Sequence, residues 1–217
     1  MQIFEDRAEA GRRLARALRE DARVDLSGRI VVLAIPRGGL PVGAAVAEEL
    51  GAALDAVVVR KLRSPYNPEL GIGAIASDGQ IRIDDDMVAR LGLSPEQVDA
   101  EIADRRAAME ERVELYRRRL RPAALEGAVA IVVDDGVATG GTAKEACAVA
   151  RRRGAAHVIL AVPVAPRATA EALAAFADVV VILHQPAEFL AVGQAYASFD
   201  QLDDEAVLAA LAGARTA

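Results

Sequence analysis

Two adjacent carboxylates stand between an apolar run and a stretch that is rich in glycine and threonine. Residues 129–133 are all apolar, Asp134 and Asp135 follow them, and residues 138–142 read Ala-Thr-Gly-Gly-Thr. A glycine-rich loop at the start of a helix presents free backbone N–H groups, which suit a phosphate dianion. Ionised carboxylates only accept hydrogen bonds, so the two acids must face sugar hydroxyls or a metal ion instead. The segment therefore predicts a site for a phosphorylated sugar, and a ribose 5-phosphate meets both requirements.

Other glycine-loop sites fit these residues less well. A P-loop needs a lysine before its final serine or threonine, but Gly141 occupies that position before Thr142, and the spaced glycines of a dinucleotide fold are missing. One alternative is that Gly140 and Gly141 only make a tight turn behind two exposed acids at a strand end. An unrelated enzyme that binds phosphosugars is a further alternative, since it would share the glycine loop.

A second turn with phosphate-binding chemistry lies earlier in the chain. The apolar residues 30–35 are followed by Pro36, Arg37, Gly38 and Gly39. A guanidinium group donates several hydrogen bonds in a geometry that matches phosphate oxygens, and glycine lets the backbone approach a ligand closely. On its own, such a turn is equally typical of a plain connection between a strand and a helix. Its presence together with the acidic segment is what favours a ligand.

Together these segments resemble the type I phosphoribosyltransferase family, whose motif for phosphoribosyl pyrophosphate (PRPP) is an apolar strand, two acids and a short loop ending in Thr-Gly-Gly-Thr. The resemblance implies that Asp134 and Asp135 bind the ribose hydroxyls. It also implies that Arg37 binds pyrophosphate with Gly38 and Gly39, in a turn similar to that of xanthine-guanine phosphoribosyltransferases. The residues that would surround the 5-phosphate are Ala138, Thr139, Gly140, Gly141 and Thr142.

The resemblance further implies a mobile loop that closes over PRPP, and residues 61–69 lie where that loop is expected. Lys61 and Arg63 would reach the pyrophosphate from it, although an exposed basic pair at a strand end is the plainer interpretation. The implied reaction is displacement at the anomeric carbon of ribose, with Mg²⁺ held mainly by PRPP and in part by the acid pair. The residues expected to take part in catalysis are Arg37, Lys61, Asp134 and Asp135.

The acceptor is the least determined part of the resemblance. Many 6-oxopurine phosphoribosyltransferases have an aspartate where this chain has Ala138, whereas adenine-type members show Ala-Thr-Gly-Gly-Thr. A purine-like base is therefore favoured as the acceptor. Its expected contacts come from the loop after the next strand and from the C-terminal region, at Val164, His184, Gln185 and Phe189. A non-catalytic regulator that binds PRPP on the same fold is the alternative function.

The spacing of apolar residues predicts the elements that position these segments. Apolar runs alternate with amphipathic stretches, which indicates a parallel α/β fold with a Rossmann-like, type I phosphoribosyltransferase-like core. The predicted strands are residues 30–35, 56–59, 129–133, 158–162 and 179–183, with a hairpin over 71–76 and 80–83. The predicted helices begin near Asp6, at Pro41, after Ser94, after the glycine loop, at Thr169 and near Asp204. We expect one domain over residues 1–217, with a helical and hairpin insertion at about 80–125 and a variable C-terminal hood at about 184–217.

Composition limits the classes of function. The chain has 217 residues, 53% of them apolar, which is enough for one substantial core. Its formal net charge of −6 disfavours a surface that binds nucleic acid. The single Cys147 cannot form an internal disulfide, and charged residues interrupt every apolar run before the roughly 20 residues that span a bilayer. We therefore expect a cytoplasmic protein without nucleic-acid or membrane partners, whose small-molecule substrates are PRPP and a base-like acceptor. The sequence leaves a homo-oligomer open.

Overall fold

A computed structural model describes residues 2–211 of the chain, so Met1 and the last residues of the predicted hood, 212–217, lie outside the described residues. The strands are β1 Ile30–Ala34, β2 Ala53–Ala56, β3 Val59–Arg63, β4 Gly71–Ala76, β5 Ile81–Ile83, β6 Val129–Val133, β7 His157–Val164 and β8 Val179–His184. The helices are α1 Arg7–Glu20, α2 Gly39–Leu50, α3 Asp85–Leu91, α4 Pro95–Arg117, α5 Gly141–Arg152, α6 Arg167–Leu173 and α7 Asp204–Ala210, with a short 3₁₀ helix at Val192–Ala195.

Five parallel strands form the central sheet, in the order β2-β1-β6-β7-β8. Alternate residues of each strand face opposite layers, because side chains in a strand point to the two faces in turn. On β1, Val32 packs in the layer that includes α1 and α2, whereas Leu33 packs in the layer that includes α5. Helices therefore cover both faces, which explains why the strands are continuous apolar runs and confirms the predicted parallel α/β class.

A second, antiparallel sheet in the order β3-β4-β5 contains the predicted hairpin. The predicted strand at 56–59 is wrong, because β2 ends at Ala56 and β3 begins at Val59. Val57 and Val58 are buried where the chain crosses between the sheets. Because they are apolar, residues 56–59 look in the sequence like one continuous buried strand. The predicted mobile loop over 61–69 is correspondingly shorter, since residues 61–63 belong to β3.

Local capping signals place most of the remaining helix ends. Ser94 and Gln97 form the predicted capping box at the start of α4. Helix α2 begins at Gly39, two residues before the predicted Pro41. Pro41 therefore lies inside the first turn, where a proline is tolerated because its missing N–H would have no helical partner. Residues 80–125 hold β5, α3 and α4, and their description as an insertion into a single domain stays a prediction. No helix within residues 2–211 combines the length and apolarity needed to cross a bilayer.

Candidate active site

The acid pair lies at the carboxyl end of the central strand β6. The neighbouring strand β1 ends level with it, because Ala34 pairs with Val133. The turn after β1 therefore lies directly beside the two acids. An added Cβ at Gly38 would overlap the carboxylate of Asp135, and one at Gly39 would lie 2.7 Å from the carbonyl oxygen of Val133. At Gly39 the obstacle is backbone, so a larger residue would force a shift there. The close packing of both glycines against the acids brings the two sequence motifs into one site.

The turn leaves fewer backbone donors than its glycines suggest. The N–H of Gly39 donates to the carbonyl of Ile35 at 3.0 Å, as part of the first turn that leads into α2. The N–H of Gly39 is therefore already used in this arrangement, and its predicted contact with pyrophosphate would need the turn to change. The Arg37 side chain is exposed, and the peptide bond that joins it to Pro36 is cis.

The predicted phosphate loop enters α5 at Gly141. Gly140 has a φ of +83°, a left-handed conformation that favours glycine, and it forms the N-cap of the helix. The hydroxyl of Thr169 donates to the carbonyl of Ala138 at 2.7 Å and holds the loop from α6. The position of an added Cβ at Gly141 has no atom within 4 Å, and Thr139 is exposed beside it. The helix N-terminus therefore opens onto free space that an anion could occupy.

A cavity of about 250 Å³ separates this loop from the second sheet. Its lining residues are Val59, Lys61, Gly71, Gly73, Ala74, Arg82, Asp84, Thr139, Gly141 and Thr142. The Nζ of Lys61 donates to the carbonyl of Glu69 at 2.6 Å. Lys61 thus lies beside the glycine loop, and its reach to the pyrophosphate stays a prediction. Arg63 is not among the lining residues, and its backbone N–H donates to Glu101 of α4 at 2.8 Å.

Arg7 is a site residue that the sequence analysis missed. Its Nε lies 2.9 Å from Oδ2 of Asp135, and the two side chains are only 12% and 13% exposed. The guanidinium carbon lies 3.9 Å from the ring centroid of Phe199, and Nη1 donates to the carbonyl of Asp200 at 3.0 Å. Arg7 is the first residue of α1, and in the sequence it looks like any exposed charged residue at the end of a helix. No local signal in the sequence distinguishes it.

The electrostatics of the acid pair are unfavourable without a ligand. Burial raises the pKa of Asp134 well above its ordinary value, and repulsion from Asp135 raises it further. Burial also raises the pKa of Asp135, although Arg7 opposes that rise. The Tyr196 hydroxyl donates to the backbone carbonyl of Asp135 at 2.5 Å. Hydroxyl donors or a cation at this site would therefore stabilise negative charge that the protein alone compensates only in part.

The four predicted acceptor residues differ in how accessible they are, and their role in binding an acceptor stays a prediction. Val164 is fully buried in a small cluster with Phe4 and Tyr196, so its side chain is not open to an acceptor in this arrangement. His184 and Phe189 are half-buried and Gln185 is exposed, and nothing about their placement assigns them to an acceptor. The C-terminal region contacts residues 134–136 through other side chains. Val192 lies against Gly136, and the Tyr196 hydroxyl bonds to the carbonyl of Asp135. Phe199 contacts Arg7, which in turn pairs with Asp135.

Few possible ligands for a divalent metal are grouped together among the described residues. Within the part of the chain that the structure describes, no group of three or more His, Cys, Asp or Glu side chains could hold a metal ion. Asp134 and Asp135 offer carboxylate oxygens, which Mg²⁺ prefers, but one of these acids is paired with Arg7. The residues present therefore fit a metal that arrives with most of its ligands on a phosphorylated substrate.

Comparisons with known proteins identify relatives over nearly the whole chain. The family model for the phosphoribosyl transferase domain matches residues 2–191. Two Mycobacterium tuberculosis proteins, from strains CDC 1551 and H37Rv and provisionally named phosphoribosyl transferases, are 46% identical over 212 residues, which is 97% of this chain and 47% of theirs. The chain thus spans about half the length of these curated relatives. The crystal structure of TT1426 from Thermus thermophilus matches with a TM-score of 0.81 and 40% identity, covering 97% of this chain and 98% of that one.

Proposed function

The chain belongs to the phosphoribosyl transferase family, and we propose that it transfers the 5-phosphoribosyl group of PRPP to a nitrogenous base with release of pyrophosphate. The observation that carries this proposal is the packing of Gly38 and Gly39 against Asp134 and Asp135. Because of this packing, a leaving group on the Arg37 turn would lie next to a ribose held by the acids. The glycine loop follows the acids directly and would hold the 5-phosphate at the other side of the sugar.

The chain's own residues would act mainly by position and charge. Asp134 and Asp135 would accept hydrogen bonds from the ribose hydroxyls and hold the ring in a fixed orientation. The Arg37 guanidinium and the N–H of Gly38 would stabilise the charge that develops on the departing pyrophosphate. Mg²⁺ bound with PRPP, within reach of the carboxylate oxygens of the acid pair, would supply further neutralisation of that charge. No nucleophile from the protein is required, because the acceptor nitrogen attacks the anomeric carbon itself.

We favour a purine-like base as the acceptor, because Ala138 precedes Thr-Gly-Gly-Thr as in adenine-type members of the family. The non-catalytic alternative, a protein that binds PRPP as a signal, has support of its own. Val164, one of the expected acceptor contacts, is buried, and Val192 lies against the adjacent Gly136. Both functions share the PRPP site, so they differ only in whether bound PRPP is consumed.

Titration calorimetry with PRPP and Mg²⁺ tests the shared site. Wild type should bind, and PRPP at about 100 times its Kd should stabilise the fold by about 2.7 kcal/mol. Replacing Asp134 and Asp135 with Asn should weaken binding by about 1.5–3 kcal/mol for each charged hydrogen bond lost, or about tenfold or more. The matched control replaces Asp85 and Asp86 with Asn, because these adjacent acids are exposed in the first turn of α3. Unchanged affinity in the Asp134/Asp135 variant would remove the main support for the proposal.

Pyrophosphate release separates the two functions. With a panel of purine and pyrimidine bases, an enzyme should release pyrophosphate from PRPP with at least one of them. Tight binding of PRPP without release for any base would favour the signal-binding alternative. A base that is consumed identifies the acceptor at the same time.

A further inference from the structure

A group of three arginines surrounds a small cavity beside the Arg37 turn. The cavity has a volume of about 110 Å³. Its lining residues are Pro36, Arg37, Val58, Val59, Arg60, Arg112 and Tyr116. They come from three separate parts of the chain, since Arg60 lies on β3 just after the crossing between the sheets and Arg112 lies on α4. Tyr116 is one helical turn further along α4, so its side chain lies on the same face as that of Arg112.

The positive charge around this cavity is balanced only in part. The Nε of Arg60 is buried and has no hydrogen-bond partner among residues 2–211. Arg112 is paired with Asp204 of α7, and the nearby Arg105 is paired with Glu101. Burial lowers the pKa of Arg60, and repulsion from Arg112 adds to this effect. A buried guanidinium donor without an acceptor is costly and uncommon, so its presence points to an acceptor supplied by a ligand.

The cavity walls indicate the chemistry of that ligand. Guanidinium groups match the oxygens of phosphate and can bind them through two parallel hydrogen bonds. Burial raises the pKa of Tyr116, so its hydroxyl remains protonated at neutral pH and can donate to a further oxygen. At about 110 Å³ the cavity is small, which suits a single phosphate group better than a nucleotide.

We propose that Arg60, Arg112 and Tyr116 form a pocket for a phosphate-class anion next to the Arg37 turn. This pocket gives α4 a role in ligand binding, through residues far from the acid pair in the sequence. The anion has two sources with the same chemistry: the distal phosphate of the pyrophosphate group of PRPP, or free inorganic phosphate. The first source rests on the proposed function, and the second does not.

Three single variants test the pocket, each measured by titration calorimetry and thermal unfolding. Tyr116→Phe removes only a hydroxyl, and Arg60→Gln removes the guanidinium whose buried Nε has no partner. Arg106→Gln is the matched control for loss of an arginine, because Arg106 is exposed on α4, the helix that carries Tyr116. Without ligand, Arg60→Gln should unfold at the same temperature as wild type or higher, because it relieves an uncompensated charge. A clear fall in its unfolding temperature would assign Arg60 a structural role and overturn the proposal.

The binding arms distinguish the two sources. In the first arm, inorganic phosphate is titrated with ribose 5-phosphate present to fill the glycine loop. In the second arm, PRPP with Mg²⁺ is titrated, with ribose 5-phosphate alone as the reference ligand. A loss of about tenfold or more for PRPP in Arg60→Gln, with a smaller loss in Tyr116→Phe and none for ribose 5-phosphate, identifies the distal phosphate as the anion.

A loss of the same size for inorganic phosphate, with PRPP affinity unchanged, identifies a separate anion. If wild type binds phosphate through Arg60 but does not bind PRPP, the pocket stands and the proposed function fails. If the affinities of Arg60→Gln and Tyr116→Phe equal those of Arg106→Gln in both arms, the proposal is overturned.

Discussion

The ion pair between Arg7 and Asp135 can be broken by Arg7→Met, which keeps an unbranched side chain at the same place. Both partners are nearly buried, so the substitution leaves the Asp135 charge without its cation and next to Asp134. Breaking a buried pair in this way costs about 3–5 kcal/mol. Because the two side chains keep slight contact with solvent, we expect a loss of about 3 kcal/mol in the free energy of unfolding at neutral pH. About 1 kcal/mol of that loss would come from the contact of Arg7 with the Phe199 ring.

The loss should depend on pH in a definite direction. Burial already raises the pKa of Asp135 above its ordinary value of 3.8, and removing Arg7 removes an effect that opposes this rise. A carboxyl group whose pKa is higher in the folded state lowers stability when it is ionised, and protonation removes that penalty. The difference between wild type and Arg7→Met should therefore be largest at neutral pH. This difference should shrink as the pH falls toward 3.8, the ordinary pKa of an aspartate, until only the contribution of the contact between Arg7 and the Phe199 ring is left.

Urea unfolding followed by circular dichroism, at about pH 7.5 and about pH 5, measures this difference. The matched control is Arg16→Met, because Arg16 is exposed on the same helix and should change stability by less than about 0.5 kcal/mol. The double variant Arg7→Met with Asp135→Asn should recover most of the loss, because asparagine carries no charge. Additive losses in the double variant, or a loss that is the same at both pH values, would refute the assignment of a charge pair.

Three further predictions address the ligand side of the site. Gly39→Ala should destabilise the fold by about 1–3 kcal/mol, because its Cβ meets the Val133 carbonyl. Gly141→Ala should leave thermal unfolding unchanged, because its Cβ would meet no atom, and should weaken ribose 5-phosphate binding in calorimetry. Arg37→Ala should lower turnover of PRPP about 100-fold and leave ribose 5-phosphate affinity intact, and equal losses in both would place Arg37 away from the leaving group. Chelation of divalent cations should reduce the thermal stabilisation by PRPP but not that by ribose 5-phosphate, and equal stabilisation with chelator would argue against a metal carried by pyrophosphate.

The local motifs of the site could be predicted from the sequence because their geometry is set by neighbouring residues. The run Val129–Val133, the acid pair and the glycine loop form one continuous strand, loop and helix, so their order along the chain is also their order in space. The left-handed backbone conformation at the start of α5 favours glycine, and the sequence itself shows the glycine at position 140. The central strands could also be predicted locally. A strand that is buried on both faces of a parallel sheet is a continuous apolar run, whichever elements cover it.

The rest of the site depended on packing between distant segments. Arg7 reaches Asp135 across 128 positions of sequence, and Arg60 meets Arg112 only because α4 packs against β3. Val164 is buried, and Lys61 lies beside the glycine loop, for the same kind of reason. A pattern of apolar and polar residues states which face of an element is buried, but it does not state which element covers that face. The free energy that selects the partner comes from side-chain packing and charge pairing in the folded chain, and only the tertiary structure contains those contacts.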